Sequence, residues 1–169
     1  MTLRYRMAGP DDAERLVAVF HTCFRDTFGH LYKAEDLALF LDGHTPEHWR
    51  EQLESDEFAI RLVEDGDALA GFIKLGPLRL PVEAPGKAVE LRQLYVLKPW
   101  HGSGAARELM DWLLAEARRG GADALYLSVF TENHRARRFY ARYGFEEVGP
   151  VTFMVGNHAD DDIIMRLAL

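Results

Sequence analysis

Two glycines separated by one residue stand directly before a helical pattern in the stretch LKPWHGSGAARELM, Leu97 to Met110. Glycine lets the backbone approach a ligand closely, and the unpaired N–H groups of a first helical turn point at an anion with the helix dipole behind them. A phosphate group is the ligand that such a turn typically binds. Gly102 and Gly104 therefore predict a phosphate-binding backbone, with a plain strand-to-helix turn as the alternative.

Two common phosphate-binding motifs do not fit this stretch. A P-loop ends in Gly-Lys-Ser/Thr, and HGSGAARE has neither the lysine nor the hydroxyl in place. A dinucleotide-binding turn has three glycines near the start of a parallel strand–helix–strand unit, whereas this stretch follows predicted antiparallel strands. Neither motif therefore identifies a phosphate-bearing ligand, and a plain strand-to-helix turn stays as the alternative.

A second pattern lies downstream, in NHRARRFYARYGFEEVG, Asn133 to Gly149. Together the two stretches resemble the GNAT superfamily of acyl-CoA N-acyltransferases. That family's pyrophosphate loop reads Gln/Arg-x-x-Gly-x-Gly/Ala, and its six places are taken here by His101, Gly102, Ser103, Gly104, Ala105 and Ala106. Its second motif, Asn-x-x-Ala-x-x-Phe-Tyr-x-x-x-Gly-Phe, is matched at every specified place by Asn133, Ala136, Phe139, Tyr140, Gly144 and Phe145. The one departure is His101, which removes the usual long Gln or Arg side chain near the phosphates.

The resemblance implies direct transfer of an acetyl group from acetyl-CoA, a co-substrate, to an amine, without a metal ion. It implies that residues 101–106 bind the pyrophosphate. It also places Leu94, Tyr95 and Val96 beside the pantetheine arm, where backbone groups contact the arm and one N–H polarises the thioester carbonyl. The residue types alone explain Leu94 and Val96 equally well as core positions of a strand. Asn133 is implied as a pantetheine contact, and its type alone is typical of a helix N-cap.

Two residues are candidates for the proton transfers. The resemblance implies that Tyr140 protonates the CoA thiolate; the alternative is an aromatic ring that only packs under the cofactor. An alkylammonium with a pKa of about 10 must lose a proton before it attacks, and a partly buried carboxylate suits that role. Glu90 resembles a glutamate that some members use through water, and strand alternation predicts Glu90, Arg92, Leu94 and Val96 on one face. The alternatives are that Glu90 pairs with Arg92, or that no single residue is the base.

Three consecutive carboxylates lie in HADDDI, His158 to Ile163. Such a run is typical of a solvated turn between strands, and the functional alternative is an acidic rim for a polycationic amine. The tail FMVGNHADDDIIMRL also resembles the polyamine-acetylating branch of the family. We therefore expect an N-acetyltransferase for a primary amine of a small molecule, a polyamine in the narrowest version. A protein lysine or N-terminal acetyltransferase and a non-catalytic acyl-CoA sensor are the alternatives.

The composition limits the class of protein. A chain of 169 residues is sized for one domain, residues 1–169, and its net charge of -7 argues against nucleic-acid binding. No apolar run is long enough for a membrane span, and the N-terminus lacks the apolar core of a signal peptide, so we expect a cytoplasmic protein with no membrane partner. The single cysteine, Cys23, excludes an internal disulfide and a cysteine-based metal cluster. Members of the family are often dimers, so the resemblance leaves a homodimer open.

Hydrophobic periodicity and turn signals predict the elements that position these residues. Strands are predicted at Leu3–Met7, Phe58–Glu64, Ala68–Leu75, Ala88–Leu97, Ala124–Phe130, Glu146–Val155 and Ile163–Leu167. Helices are predicted at Pro10–Phe24, at two short segments between Phe28 and Phe58, after Gly104, and from Asn133 to Gly144. This order indicates an α+β, GNAT-like fold with a central mixed, mostly antiparallel sheet of about seven strands flanked by helices.

Overall fold

The computed structural model describes residues 1–169 and is built on one seven-stranded sheet in the order β1-β2-β3-β4-β5-β7-β6. The strands are β1 Leu3–Met7, β2 Ala59–Asp65, β3 Ala68–Pro77, β4 Ala88–Val96, β5 Ala124–Phe130, β6 Glu146–Val155 and β7 His158–Ala168. Every neighbouring pair is antiparallel except β4 and β5, which run parallel. The predicted α+β fold with a mixed, mostly antiparallel sheet is confirmed.

Helices cover both faces of the sheet. They are α1 Ala13–Phe28, α2 Ala34–Asp42, α3 Pro46–Glu54, α4 Ala105–Arg119 and α5 His134–Arg142. The first three enclose an aromatic-rich core against one face, and α4 and α5 pack a second core against the other. Two helix starts follow the sequence signals, since Thr45 accepts the N–H of His48 at 3.2 Å and Asn133 accepts the N–H of Ala136 at 3.3 Å.

Two predicted boundaries are wrong by four residues or more. The first helix continues to Phe28 instead of ending at Phe24, because the ring of Phe28 extends the same aromatic stripe, 5.1 Å from that of Phe24. The last strand begins at His158 instead of Ile163, since Gly156, at a φ of 57°, completes the turn with only one further residue before the strand. The three carboxylates at 160–162 therefore lie within β7 and do not form a solvated turn.

The parallel strands β4 and β5 pair only over their first residues, from Ala88 opposite Ala124 to Glu90 opposite Tyr126. Beyond that point both strands continue, to Val96 and Phe130, without pairing to each other. The backbone groups on the facing edges of the two strands are therefore free to contact a ligand. This split is the structural origin of the cleft described below.

A β-bulge in β4 decides which side chains face the acceptor half of that cleft. Lys74 of β3 pairs with Gln93 and Leu75 pairs with Leu91, so Arg92 is an extra residue. The predicted common face for Glu90, Arg92, Leu94 and Val96 is therefore wrong. Leu94 and Val96 pack toward α4, whereas the pairing places Glu90 on the opposite face, with Gln93 and Tyr95.

A buried carboxylate ties the first strand to the sheet. Glu64, 3% exposed, accepts hydrogen bonds from the guanidinium groups of Arg4, Arg6 and Arg15 at 2.6 to 3.1 Å. The hydrogen bonds from Arg6, reinforced by the other two, lower the pKa of Glu64 to about 2. A carboxyl group whose pKa falls on folding stabilises the protein above its unfolded pKa of about 4.3, and this stabilisation disappears between that value and about 2.

Replacing Glu64 with glutamine should therefore lower the free energy of unfolding at neutral pH by about 3 kcal/mol, because three arginines lose a buried anionic partner. Urea unfolding should be monitored at a series of pH values. The difference in the free energy of unfolding between the variant and the wild type should become smaller below about pH 4. Glu147→Gln, which removes a half-exposed partner of Arg137, is the matched control and should change stability by well under about 1 kcal/mol. A difference that stays constant down to acid pH would contradict the role given to the Glu64 charge.

No helix of this chain combines the length and the apolar character needed to cross a bilayer.

Candidate active site

The split between β4 and β5 opens into a cavity of about 950 Å³. Its walls come from α1, α2 and α3 on one face of the sheet and from the starts of α4 and α5 on the other. The cavity therefore passes through the plane of the sheet and has two halves. One half holds the glycine turn, and the other holds aromatic and ionisable side chains.

The glycine turn presents free backbone donors to the cavity. Gly102 and Gly104 have φ of 80° and 87°, the left-handed conformation that glycine adopts without strain, and a Cβ on either would meet open space. The N–H groups of Gly102, Gly104, Ala106 and Arg107 have no hydrogen-bond partner in the chain. Together with the dipole of the fifteen-residue helix α4, these donors fit a phosphate-bearing ligand.

Of the six residues predicted to bind the pyrophosphate, five line the cavity and Ser103 does not. The Ser103 hydroxyl accepts the N–H of Ala105 at 3.3 Å, so it holds the turn in shape. His101 is fixed from two sides. Its Nε2 donates to the carbonyl of Val96 at 2.7 Å, and its Nδ1 accepts a hydrogen bond from the Arg135 guanidinium at 3.0 Å.

An arginine cluster surrounds this half of the cavity and gives it a positive potential although the chain is acidic overall. Its members are Arg107, Arg135, Arg138 and Arg142. The contact of Arg135 with His101 brings a long cationic side chain to the place where the departure from the family pattern had removed one. The sequence gives no signal for this exchange, because the two residues are 34 positions apart.

The residues predicted to lie beside the pantetheine arm all line the cavity: Leu94, Tyr95, Val96 and Asn133. Leu94 and Val96 also pack against the α4 core, and the Tyr95 ring lies 5.3 Å from that of Phe20. Both the core role and the cavity role are thus compatible with their positions. The unpaired edge of β4 supplies the backbone groups that such an arm requires.

Tyr140, on α5, lines the cavity. The residue is 8% exposed, its ring packs edge-on against Phe139 and Phe145, and its hydroxyl makes no hydrogen bond within the chain. Burial raises the pKa of Tyr140, so the phenol stays protonated across the physiological range. The position and protonation state suit a proton donor inside the cavity.

Glu90 also lines the cavity, but its carboxylate already has partners. It accepts the backbone N–H of Arg79 at 2.8 Å and lies 3.8 Å from the Arg92 guanidinium. Burial raises the pKa of Glu90, while these partners oppose the rise. The carboxylate therefore anchors the segment between β3 and β4 beside the cleft.

The sequence predicts a solvated turn or an acidic rim at residues 160–162, but Asp160 and Asp162 are buried cavity residues of β7. Asp160, 6% exposed, accepts a hydrogen bond from the Tyr32 hydroxyl and lies 3.2 Å from His158. Asp162, 7% exposed, has no hydrogen bond and no ion pair in the chain. Burial, and then the neighbouring carboxylates, raise the pKa of Asp162 to about 7. The period of two in D-x-D was the signal that could have indicated two inward-facing side chains.

A buried lysine on β3 is a cavity residue for which sequence analysis gave no indication. Lys74 is 3% exposed, donates to the Gln52 side chain at 2.6 Å, and lies 3.5 Å from the centre of the Trp49 ring. Apolar neighbours on both sides in LAGFIKLG made this residue look like an ordinary strand position. The acceptor half of the cavity thus has an acidic end on β7 and a basic end on β3.

Comparison with known proteins agrees with this geometry. The acetyltransferase (GNAT) family model matches residues 15–145. The chain is 34% identical to an uncharacterized N-acetyltransferase of Mycobacterium tuberculosis over 155 residues, which cover 91% of this chain and 96% of that protein. It is 27% identical over 161 residues to an uncharacterized N-acetyltransferase of Lactobacillus delbrueckii subsp. lactis, covering 94% and 92%.

Two solved structures share the fold over the whole chain. The PaiA N-acetyltransferase from Thermoplasma acidophilum, in complex with coenzyme A, superposes with a TM-score of 0.81 at 18% identity and covers all of both chains. The yncA protein from Salmonella typhimurium, solved with acetyl-CoA, gives a TM-score of 0.76 at 20% identity over 100% and 95% of the two chains. With the matched family model and the glycine cradle, these findings show that the chain belongs to the GNAT family, as an acetyl-CoA-dependent N-acetyltransferase.

Proposed function

We propose that this protein transfers the acetyl group of acetyl-CoA to the primary amine of a small molecule held in the aromatic half of the cavity. The observation that carries the proposal is the pair of unlike half-sites joined through the β4–β5 split. Free amides and arginines at one end suit phosphates, and buried carboxylates among aromatic rings at the other suit an ammonium group. Acetyl-CoA supplies the activated thioester.

Residues 101, 102, 104, 105 and 106 would bind the pyrophosphate, with Arg135 as an added charge partner. The unpaired edge of Leu94–Val96 and the side chain of Asn133 would hold the pantetheine arm, and one N–H of this edge would polarise the thioester carbonyl. Ser103 supports the turn from behind. These roles rest on the resemblance in sequence and on where the residues lie.

For the amine, we assign Asp162 as the base. It faces the cavity without a competing partner, whereas the Glu90 carboxylate is bonded to the Arg79 backbone and lies close to Arg92. Asp162 removes a proton from the ammonium group, and the freed lone pair forms the C–N bond as the C–S bond breaks. Tyr140 donates its proton to the departing sulfur, and the phenolate is neutralised by the second amine proton. The net products are the acetamide, free CoA and one proton. Glu90 acting through water is the competing assignment.

A polyamine is the narrowest version of this proposal. Three carboxylates at positions 160–162, with Asp160 and Asp162 inside the cavity, favour a cationic acceptor. The aromatic rings of Phe24, Phe28 and Tyr32 on the same side would add cation–π attraction.

Isothermal titration with acetyl-CoA and a thiol-release assay over a panel of amines test the proposal. Gly104→Ala forces a non-glycine residue to a φ of 87° at the turn that presents the free amides, so we expect cofactor affinity to fall about tenfold or more. Gly121→Ala is the matched control, because Gly121 has a φ of 78° and open space around it but lies at the far end of α4. The Gly121→Ala variant should bind acetyl-CoA with the affinity of the wild type.

Each alternative predicts a different result. Binding of acetyl-CoA without amine-dependent thiol release for any acceptor would identify a sensor. Release only with lysine-containing or N-terminal peptides would identify a protein acetyltransferase. Absence of any heat on titration with acetyl-CoA would remove the basis of the proposal.

A further inference from the structure

Lys74 is the one buried cation of the acceptor half to which the mechanism gives no role. Its Nζ lies in the cavity wall, where one N–H is used by Gln52 and the face of Trp49 takes up part of the charge. It forms no ion pair with a carboxylate, and the acidic side chain on its sheet face, Glu90, pairs instead with Arg92. A buried ammonium group with donors to spare requires an anionic partner or must lose its proton.

The groups around Lys74 increase this need. Arg92 on β4 adds positive charge, His44 before α3 lies within electrostatic reach, and His48 on α3 contacts the same Gln52 at 3.2 Å. Burial, together with Arg92, lowers the pKa of Lys74 to about 7. The register partner of Lys74, Gln93, has a buried side-chain oxygen without any hydrogen bond. Lys74 thus lacks an anionic partner, and the Gln93 oxygen lacks a hydrogen-bond donor, although buried groups normally have both kinds of partner.

The basic and acidic ends stand on opposite margins of the cleft. Lys74 is on β3 and Asp162 on β7, three strand steps apart, so their Cα atoms are separated by about 14 Å or more. Their side chains lie on the same face of the sheet and line the same cavity. A small acceptor with its amine at Asp162 would direct its other end toward Lys74.

We propose, on the basis of the function proposed above, that the acceptor is an amine carrying a carboxylate or a similar anion at its far end, which Lys74 and Gln93 bind. The amide N–H groups of Gln93, a cavity residue, make no hydrogen bond within the chain and donate to the same anion. An acceptor with a second ammonium group at that end, as in a polyamine, would instead meet Lys74, Arg92 and the nearby histidines. This site therefore selects against the polyamine version.

The test compares ω-amino acids of increasing chain length with the alkylamines and diamines of matching length. Binding to the CoA-loaded protein is measured by calorimetry in two buffers of different ionisation enthalpy, and acetylation by thiol release. At about pH 8 Lys74 is mostly neutral, so binding of the amino acid should draw up to about one proton more from the buffer than binding of the matching alkylamine does. This difference in proton uptake should vanish near pH 6, where Lys74 is already protonated. Asp162 is already ionised at the higher pH and contributes the same to amino acids and alkylamines.

Lys74→Met keeps the length and burial of the side chain and removes the charge. We expect it to erase both the proton uptake and a preference of about 30-fold or more for the amino acid over the alkylamine. Lys33→Met, at an exposed lysine, is the matched control and should keep both. If the methionine variant does not fold, the pH dependence of uptake in the wild type decides on its own.

Two results would overturn the inference. One is equal or tighter binding of alkylamines and diamines in the wild type, which would leave the proposed transferase intact with a different acceptor. The other is amino-acid binding with no proton uptake, unchanged in Lys74→Met. A protein that binds these amino acids but releases no thiol would refute the transfer and retain the anion site.

Discussion

Replacing Asp162 with asparagine should reduce kcat/KM for amine acetylation by about 100- to 10,000-fold, the range typical for loss of a general base. The substitution keeps the shape of the side chain and removes only its ability to accept a proton. Asp161→Asn is the matched control, since Asp161 is the adjacent carboxylate but points to solvent. It removes the same charge from the same strand and should leave the rate within about twofold of wild type.

The pH profile identifies the reason for the loss. A base must be deprotonated, so wild-type kcat/KM should rise with pH through the Asp162 pKa of about 7 and level off above it. The ionisable groups that face Asp162 are Asp160 on its own strand, Tyr32 beyond α1 and Tyr95 on β4, and the solvent-exposed Asp161 acts on it only through its charge. Both tyrosines stay neutral because burial raises their pKa values. The Asp162→Asn variant should lose the rising limb.

Stability separates this effect from misfolding. A carboxyl group whose pKa rises on folding destabilises the protein at pH values above its unfolded pKa, so neutralising Asp162 should raise the Tm at pH 8 or leave it unchanged. Burial also raises the pKa of Glu90, so Glu90→Gln should likewise leave the Tm at pH 8 unchanged or raise it. Its change in rate should be smaller, because the Glu90 carboxylate is held by Arg79 and Arg92. If Glu90→Gln instead removed the acid limb and Asp162→Asn kept it, the two assignments would have to be exchanged.

The local chemistry of the cofactor half could be predicted from the sequence because it is a property of contiguous residues. The glycine turn, the cap at Asn133 and the tyrosine seven residues later all lie within single strand–helix connections, where spacing determines geometry. The acceptor half depends on long-range packing. Whether a strand residue faces the cavity there is decided by pairing with its neighbours, and one bulge at Arg92 reverses the faces of β4.

Two features of the acceptor half show why its charges escaped prediction. The run at 160–162 is polar enough to indicate a turn, yet the turn needs only Gly156 and Asn157, so the carboxylates continue the strand. Lys74 is surrounded in sequence by residues of a buried strand, and no local pattern shows that Trp49 and Gln52 of α3 lie above it. Both errors concern residues whose burial is set by helices far away in the chain.

The two halves of the site carry opposite charges although they belong to one acidic chain. The protein carries a net charge of -7, but four arginines of α4 and α5 line the cavity. The buried carboxylates lie on β7, on the other face of the sheet. A phosphate-bearing donor and an ammonium-bearing acceptor are therefore attracted to different halves of one cavity, which orients the reactants before any contact with the reacting atoms.

Tyr140→Phe should lower kcat by about 100-fold while leaving the dissociation constant for CoA within about twofold of wild type. The hydroxyl makes no hydrogen bond within the chain, and the phenyl ring retains the edge-on contacts with Phe139 and Phe145, so neither folding nor cofactor packing depends on the oxygen atom. What the variant loses is the proton for the departing sulfur. Single-turnover thiol release and calorimetric titration with CoA measure the two quantities separately.

Tyr143→Phe is the matched control on the same helix, because its hydroxyl donates to Asp111 at 3.0 Å outside the main cavity. That change should cost about 1 kcal/mol of stability and nothing in rate, the opposite of the result expected for Tyr140→Phe. Since burial raises the pKa of Tyr140, the phenol should remain a competent donor to high pH, and wild-type kcat at saturating acceptor should show no loss up to about pH 9. Equal turnover of Tyr140→Phe and wild type would mean that the sulfur takes its proton from the amine through water, and that Tyr140 only packs against the cofactor.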